Sequence, residues 1–220
     1  MKLAIQICSE DEWKHTKSIL GVKKSELRQD LLMEWFVRSL GKKKYIWYGS
    51  GATKTRAAAA CQKAIDKWRP DAIVNLGTCG GVSRDIQKLD IVLANKTFQY
   101  DVIQRFGKPS VRFVRGLITK LDTSWADLSM VSERLRTGTI ASADQDLWGG
   151  SRRKLQKKGI LAADWESASI AKVCELNKIK CLILRGVTDI PDDRQASDFE
   201  NNTPIVMESL FEILPQIRFL

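Results

Sequence analysis

Four predicted strands of this chain end in acidic, glycine or arginine residues, which are residue types that can bind a small ligand or transfer protons. The four segments are CSEDEW (8–13), NLGTCGGV (75–82), ADWESASIAKVCE (163–175) and LILRGVTDIPDD (182–193). In an open α/β sheet, ligands bind outside the carboxyl ends of the strands. We therefore expect a ligand site where these four segments meet.

Three of the segments also have ordinary structural interpretations when each is taken alone. The acidic residues 10–12 could cap a following helix, because the positive end of the helix dipole favours them. The three glycines of the second segment could form a tight turn and nothing more. Asp164 could likewise cap a helix, and Glu166 could either cap it or bind hydroxyl groups.

The fourth segment gives the strongest physical signal. Arg185 interrupts an otherwise apolar strand, and Asp189 stands at the end of that strand. A charge in a buried strand costs free energy unless it is paired. Arg185 therefore predicts a buried polar site with acidic partners.

The elements that must position these residues alternate between strands and helices. Apolar runs predict strands at 3–8, 45–48, 72–76, 90–95, 138–142, 159–163 and 181–188, and helices are predicted at 28–40, 124–136, 165–177 and 204–213. A further helix after residue 53 has an apolar stripe from Ala57 to Trp68 and stops at Arg69-Pro70. Continuously apolar strands favour a sheet covered by helices on both faces, so we expect the α/β class.

Length and composition favour one soluble domain over residues 1–220. The chain has 220 residues, of which 44% are hydrophobic and 28% charged. No apolar run approaches the roughly 20 residues of a membrane span. The start MKLAIQICSEDEW becomes acidic too soon for a signal peptide. We expect a cytoplasmic protein without a membrane partner.

Cysteine, histidine and charge argue against several other classes. The five cysteines form no CxxC pair, and His15 is the single histidine, so we expect reduced thiols, no metal and no histidine-based triad. The formal net charge is +10, but GKKKY and SRRKLQKKG are short clusters without interleaved aromatics. We interpret them as solvated surface and expect no nucleic-acid partner.

In this order, and together with GTIASADQ (138–145), the four segments resemble the motifs of the nucleoside phosphorylase/nucleosidase family. The likeness is greatest to 5'-methylthioadenosine/S-adenosylhomocysteine nucleosidases. It covers most of residues 1–13, 45–106 and 137–193, and it is weak elsewhere. The resemblance implies a three-layer α/β/α domain with a central mixed sheet, and cleavage of the N-glycosidic bond of a purine nucleoside without a cofactor.

The resemblance also implies catalytic roles. Asp189 would be the general acid toward the purine N7, which requires a carboxyl group kept protonated by burial. Glu12 would be the general base that activates water on the other face of the ribose. Glu166 would bind the ribose hydroxyls, and Arg185 and Thr78 would complete the water and sugar site.

Further substrate-binding positions follow from the same resemblance. Ala52 would border the 5' group, and Phe106 would reach into a neighbouring subunit's pocket, which implies a homodimer. The remaining implied positions are Gly80, Asp146, Leu147 and Trp165.

Several positions depart from the family pattern. Ala143 stands where glycine is common, Asp146 and Trp148 lie in the base-stacking stretch, and Trp165 replaces a usual methionine. These changes predict a bulkier and more polar pocket, so another purine nucleoside, such as futalosine, stays open.

The attacking nucleophile is the next question. Related phosphorylases have a phosphate-binding arginine where this chain has the uncharged Asn75, which favours water over phosphate. A phosphate-dependent purine nucleoside phosphorylase and a noncatalytic nucleoside-binding protein remain alternatives. The retention of Glu12, Glu166 and Asp189 together argues against the binder.

The glycine-rich stretch WYGSGATKTRAAAA (47–60) is a candidate for a phosphate-binding loop. The pattern G-x-x-x-x-G-K-[ST] requires glycines where this chain has Tyr48 and Thr53, so only Lys54-Thr55 matches. We interpret the stretch as the exit turn of a strand, in which Gly49 and Gly51 let the backbone pass close to the ribose.

Overall fold

The structure, a computed structural model, describes residues 1–131, 135–191 and 195–220. The strands are β1 (Leu3–Ile7), β2 (Arg28–Gln29), β3 (Glu34–Leu40), β4 (Lys43–Gly49), β5 (Ala72–Gly81), β6 (Ile91–Gln99), β7 (Ile118–Lys120), β8 (Ala126–Asp127), β9 (Leu135–Ser142), β10 (Ala162–Asp164), β11 (Lys180–Asp189) and β12 (Arg218–Phe219). The helices are α1 (Glu10–Ile19), α2 (Lys54–Trp68), α3 (Val111–Gly116), α4 (Gly149–Gln156), α5 (Ser167–Asn177) and α6 (Gln195–Ile213).

One mixed sheet places the ends of the predicted strands side by side. Its order is β10-β9-β6-β11-β5-β1-β4-β3-β2, with β7 beside β6. Strands β4, β1, β5 and β11 run parallel, whereas β6 runs antiparallel to β11 and β3 antiparallel to β4. Consequently the carboxyl ends of β1, β4, β5 and β11 meet at one edge, which is where ligands bind in such sheets.

Helices cover both faces of this sheet. Helices α2 and α5 pack on one face, and α1 and α6 pack together on the other. In β5, Ile73 packs in the core on the side of α2 and α5, and Val74 packs in the core on the side of α1 and α6. This alternation arises because successive side chains of a strand point to opposite faces. The three-layer α/β/α fold with a central mixed sheet is therefore confirmed.

The helix predicted after residue 53 is confirmed as α2. Its apolar stripe is buried from Ala57 to Ile65, and Trp68 is partly buried beside the same core. The helix ends at Arg69, which takes a left-handed conformation with φ 45° just before Pro70.

The helix predicted at residues 28–40 is wrong, because this segment forms β2 and β3. Phe36 is buried and stacks on Trp47 with ring centroids 6.4 Å apart, while the adjacent Val37 is 49% exposed. That alternation has the strand period of two. Gly41, with φ 60°, then turns the chain into β4.

The helix predicted at residues 124–136 is also wrong. Ala126 and Asp127 form the short strand β8, which pairs with β12, and Leu135 begins β9 opposite Ile91. Residues 132–134 lie outside the described part of the chain. Both ends of this segment form strands because they pair with strands that are distant in the sequence. A local helical pattern does not predict such pairing.

Candidate active site

A cavity of about 570 Å³ opens at the edge where the carboxyl ends of the central strands meet. The described residues that line it are Ser9, Asp11, Glu12, Ala52, Thr78, Cys79, Gly80, Tyr100, Gln145, Asp146, Leu147, Ala163, Asp164, Trp165, Glu166, Thr188, Asp189, Phe199 and Glu200. This set contains every predicted site residue except Arg185 and Phe106. The volume is in the range of cavities that bind small molecules.

Arg185 lies behind the cavity wall and is completely buried. Its Nε is 2.9 Å from Asp164 Oδ2, its Nη2 is 3.4 Å from Glu166 Oε2, and its Nη1 is 3.7 Å from Glu12 Oε1. Burial alone would lower the pKa of Arg185, but the acidic groups around it, Asp164 foremost, raise that pKa. The arginine therefore remains a cation that holds three carboxyl groups in place.

Glu12 is positioned by the first turn of α1. Ser9 caps the helix by accepting from the Glu12 N–H at 3.1 Å, and the Ser9 N–H donates to Glu12 Oε2 at 3.1 Å. Glu12 Oε1 also accepts from the Thr78 N–H at 2.6 Å and from the Thr78 hydroxyl at 2.8 Å. The acidic run therefore caps its helix and also supplies a carboxyl group that is fixed at the cavity wall.

Glu166 is the N-cap of α5, and its carboxyl group also contacts Arg185. Its Oε1 accepts from the Thr53 N–H at 3.3 Å, in the turn that precedes α2. Burial raises the pKa of Glu166 to about 8; Arg185 opposes this rise, and Asp164 and Glu12 add to it. Around neutral pH this group therefore holds a proton and can both donate to and accept from a hydroxyl group.

Asp164 was predicted only as a possible helix cap, and the structure adds a second role. Its carboxylate accepts from the Ser167 N–H at 3.2 Å, which is the expected cap, and it also pairs with Arg185. The Ser142 hydroxyl donates to it from the end of β9 at 2.5 Å. Sequence reasoning missed the pairing of Asp164 with Arg185, because the two residues lie on different strands, β10 and β11.

Asp189 lies at the last position of β11 and is 5% exposed. The hydroxyl of Thr188 donates to its Oδ1 at 2.7 Å. A methyl group at Gly80 would stand 3.4 Å from Asp189 Oδ2 and 3.1 Å from the Leu147 side chain. Gly80 thus leaves the space in which Leu147 and Asp189 approach each other.

The segment predicted to contact the base divides between cavity and surface. Leu147 is buried in the wall, and Asp146 lines the cavity from an exposed position. Trp148 is 57% exposed and is not among the lining residues, so the predicted bulk at this position lies outside the cavity. Trp165 does line it, from a partly buried position.

The glycine-rich turn borders the cavity through Ala52. From the sequence we predict that Gly49 and Gly51 let the backbone pass close to the ribose, but the structure gives a different reason for each glycine. A side chain at Gly49 would stand 2.7 Å from the Trp13 ring. Gly51 has φ +77°, and the space beside it is occupied by the Arg56 guanidinium. Gly49 therefore permits helix packing, and Gly51 permits the backbone turn.

Two other predicted positions lie away from the cavity. Phe106 is 89% exposed. Asn75 is buried inside the sheet, where its amide donates to the Gln6 carbonyl at 3.0 Å.

Several lining residues had no specific signal in the sequence. Phe199 and Glu200 belong to α6, beyond the last recognisable motif, and Tyr100 follows β6. Gln145 ends the motif GTIASADQ, but no role was predicted for it. The spacing between motifs does not show which of these loops turns toward the cavity.

No group of three or more His, Cys, Asp or Glu side chains among the described residues has the arrangement of a metal site. Within the same residues, no helix combines the length and apolar character that crossing a membrane requires.

This chain is similar to known proteins both in sequence and in structure. The model of the phosphorylase superfamily matches residues 16–217. A 5'-methylthioadenosine/S-adenosylhomocysteine nucleosidase from Actinobacillus succinogenes is 26% identical over 180 residues, covering 75% of this chain and 76% of that protein.

Among solved structures, the Helicobacter pylori nucleosidase of the same name, with butyl-thio-DADMe-Immucillin-A, has a TM-score of 0.85 at 20% identity, covering 98% of this chain and 97% of that one. Futalosine hydrolase of Helicobacter pylori has a TM-score of 0.81 at 19% identity, covering 98% and 96%. At these identities the solved structures establish the fold. The superfamily match covers most of the sequence, and this chain belongs to the phosphorylase superfamily.

Proposed function

We propose that this protein hydrolyses the N-glycosidic bond of a purine nucleoside of the 5'-methylthioadenosine/S-adenosylhomocysteine type and releases the free base and the sugar. The observation that supports it most is the placement of two carboxyl groups along β5, with Glu12 bound to Thr78 and Asp189 beside Gly80. Two residues of a strand span roughly 7 Å. The two carboxyl groups are therefore held beside strand positions roughly 7 Å apart, as an acid and a base acting at different parts of one nucleoside require.

The proposed reaction divides the work between the two carboxyl groups. Asp189 donates a proton to N7 of the purine, so that the base leaves as a neutral molecule while positive charge develops on the ribose. Glu12 takes a proton from the attacking water, whose hydroxyl group bonds to C1' of the sugar. Return of a proton from Glu12 to solvent, and of one from solvent to Asp189, resets the site.

Glu166 and Arg185 support these steps without exchanging protons with the base. Glu166, with a pKa of about 8, is suited to hydrogen bonds with the ribose hydroxyls. Arg185 orients Glu12 and Glu166 from behind the wall, so we assign it a positioning role. Trp165, Leu147 and Asp146 are proposed to contact the sugar and the base.

Water is the proposed nucleophile rather than phosphate. Asn75 carries no charge, and its amide is already bonded within the sheet. The guanidinium of Arg185 is already engaged by three carboxyl groups. Neither group is therefore available to hold a phosphate ion bidentately.

The test is incubation with 5'-methylthioadenosine in phosphate-free buffer and in the same buffer with phosphate. We expect adenine and the free sugar at equal rates in both, measured by chromatography. Formation of a sugar 1-phosphate that depends strictly on phosphate would replace hydrolysis by phosphorolysis. If a panel of purine nucleosides released no base, a noncatalytic binding role would be favoured instead.

A homodimer is also part of the proposal. Residues 102–114 expose several large apolar side chains, namely Val102, Ile103, Phe106, Val111, Phe113 and Val114. Such an apolar segment favours a protein interface. Phe106→Asp should shift the sedimentation coefficient toward the monomer, whereas Leu176→Asp, at an exposed position outside this segment, should not. We further propose a cytoplasmic location, which the five free, buried cysteines favour.

A further inference from the structure

The basic segment SRRKLQKKG (151–159), which the sequence predicts to be solvated surface, contributes to a second cavity, of about 470 Å³. Its wall includes Arg153, Gln156 and Lys157 at the end of α4 and Ser83, Arg84 and Asp85 in the turn after β5. Lys154 and Lys158 are exposed and do not line it. We call this space the basic cavity. Part of the segment therefore forms a concave site instead of open surface.

Hydrogen bonds hold α4 against the turn that follows β5. The Val82 carbonyl accepts from Arg152 Nε at 3.1 Å and from Gln156 Nε2 at 2.8 Å. From the other side, the N–H groups of Val82 and Ser83 donate to the Leu161 carbonyl at 2.9 Å and 3.0 Å. The two walls of the basic cavity are therefore fixed relative to each other by contacts within the protein.

Three cations line the basic cavity, and they lie on both of its walls. Arg153 and Lys157 are four residues apart and therefore share one face of the helix end, and Arg84 stands on the turn opposite. Within the part of the chain that the structure describes, none of these three side chains forms an ion pair. Asp85 is the one acidic residue of this wall, so the cations outnumber it. An anion that entered would reduce the repulsion between them.

From this arrangement we infer that the basic cavity is a binding site, separate from the candidate active site, for a small molecule that carries two or more linked phosphate groups. Its volume is in the range of small-molecule sites. Guanidinium groups bind phosphate oxygens in pairs, and a lysine adds a point charge. Linked phosphates can contact cations on both walls at once. No aromatic side chain is among the described lining residues, which argues against stacked nucleic-acid bases.

Inorganic pyrophosphate is the probe, measured by calorimetry at pH 7.5 and low salt without divalent cations. We expect it to bind at least about tenfold more tightly than inorganic phosphate, because it can reach both walls. Sodium chloride at about 0.5 M should weaken the binding. A short oligouridylate tests whether the same cations serve a nucleic-acid backbone, and we expect it to bind more weakly than pyrophosphate.

A pair of double variants tests whether the lining cations cause the binding. Arg84→Gln/Lys157→Gln removes one cation from each wall, so pyrophosphate should bind at least about tenfold more weakly. Lys14→Gln/Lys154→Gln is the matched control, because it removes the same charge from exposed lysines that do not line the basic cavity. The control should change the affinity by less than about twofold. The melting temperatures of both should stay near that of the parent protein.

The outcomes separate this site from general surface charge and from the proposed reaction. Loss of pyrophosphate binding in Arg84→Gln/Lys157→Gln alone would support the site, even if no nucleoside released its base. Equal weakening in the two double variants, or no binding to the parent protein, would overturn it. Oligouridylate that bound more tightly than pyrophosphate and was lost in the same variant would assign the cations to a nucleic acid and overturn the small-molecule site.

Discussion

The two halves of the cavity wall differ in how firmly their acidic residues are held. Glu12, Asp164 and Glu166 are buried and converge on one arginine, whereas Asp11, Asp146 and Glu200 are exposed. A carboxyl group fixed by several hydrogen bonds keeps one geometry, which proton transfer and sugar binding require. An exposed carboxylate mainly contributes charge. In the proposed function, the buried half supplies the general base Glu12 and the ribose-binding Glu166.

Removing the centre of the buried half should have the largest effect. Arg185→Met would leave three buried carboxyl groups without their cation, so the free energy of unfolding should fall by about 3–5 kcal/mol. Urea denaturation measures it. Arg153→Met, at an exposed position on α4, should change the value by less than about 0.5 kcal/mol. Equal effects of the two substitutions would remove the distinction between the buried network and the surface.

Replacing the proposed acid should affect rate rather than stability. In Asp189→Asn the side chain keeps its size but no longer supplies an acidic proton, so kcat for base release should fall roughly 10²–10⁴-fold. Circular dichroism and the melting temperature should stay near those of the parent protein. The corresponding change at an exposed position of the cavity wall, Asp11→Asn, should alter kcat far less. Full activity of Asp189→Asn would exclude this residue as the acid.

The pKa of Glu166 predicts a pH dependence of the free energy of unfolding. The folded-state pKa of about 8 lies above the ordinary value of 4.5. The folded state therefore binds the proton more tightly than the unfolded chain, and this stability is lost as the pH rises from about 5 through 8. Urea denaturation at several pH values measures the slope. Glu166→Gln should flatten it, and a slope unchanged in that variant would assign the effect elsewhere.

The buried half of the site was largely predictable from the sequence. An arginine in an apolar strand requires acidic partners, and the polar residues at the strand ends supplied them. The number of acidic partners of Arg185 was not predictable. Asp164 is one of them, but an aspartate just before a helix is equally well explained as a helix cap. The two wrong helices, at 28–40 and 124–136, lie where the pairing of distant strands overrides a local pattern.

The exposed half was predicted less completely. Asp146 and Leu147 were expected at the base, but Asp11 was seen only as part of a helix cap, and Glu200 belongs to a segment without any motif. Both residues line the same cavity, and α1, which carries Asp11, packs against α6, which carries Glu200. Trp148 was expected to enlarge the pocket wall, but it is exposed to solvent. The sequence could not show this, because no sequence rule fixes the direction of a loop side chain.

The contacts of the arginine network also bear on the order in which the protein folds. Thr78 lies 66 residues after Glu12, Glu166 lies 113 residues after Thr53, and Arg185 donates to the Thr78 carbonyl 107 residues earlier in the chain. Contacts between such distant residues carry a high entropic cost and form slowly. During refolding, recovery of activity should therefore lag behind recovery of helical structure, and a nascent chain should gain activity only after β11 has been synthesised.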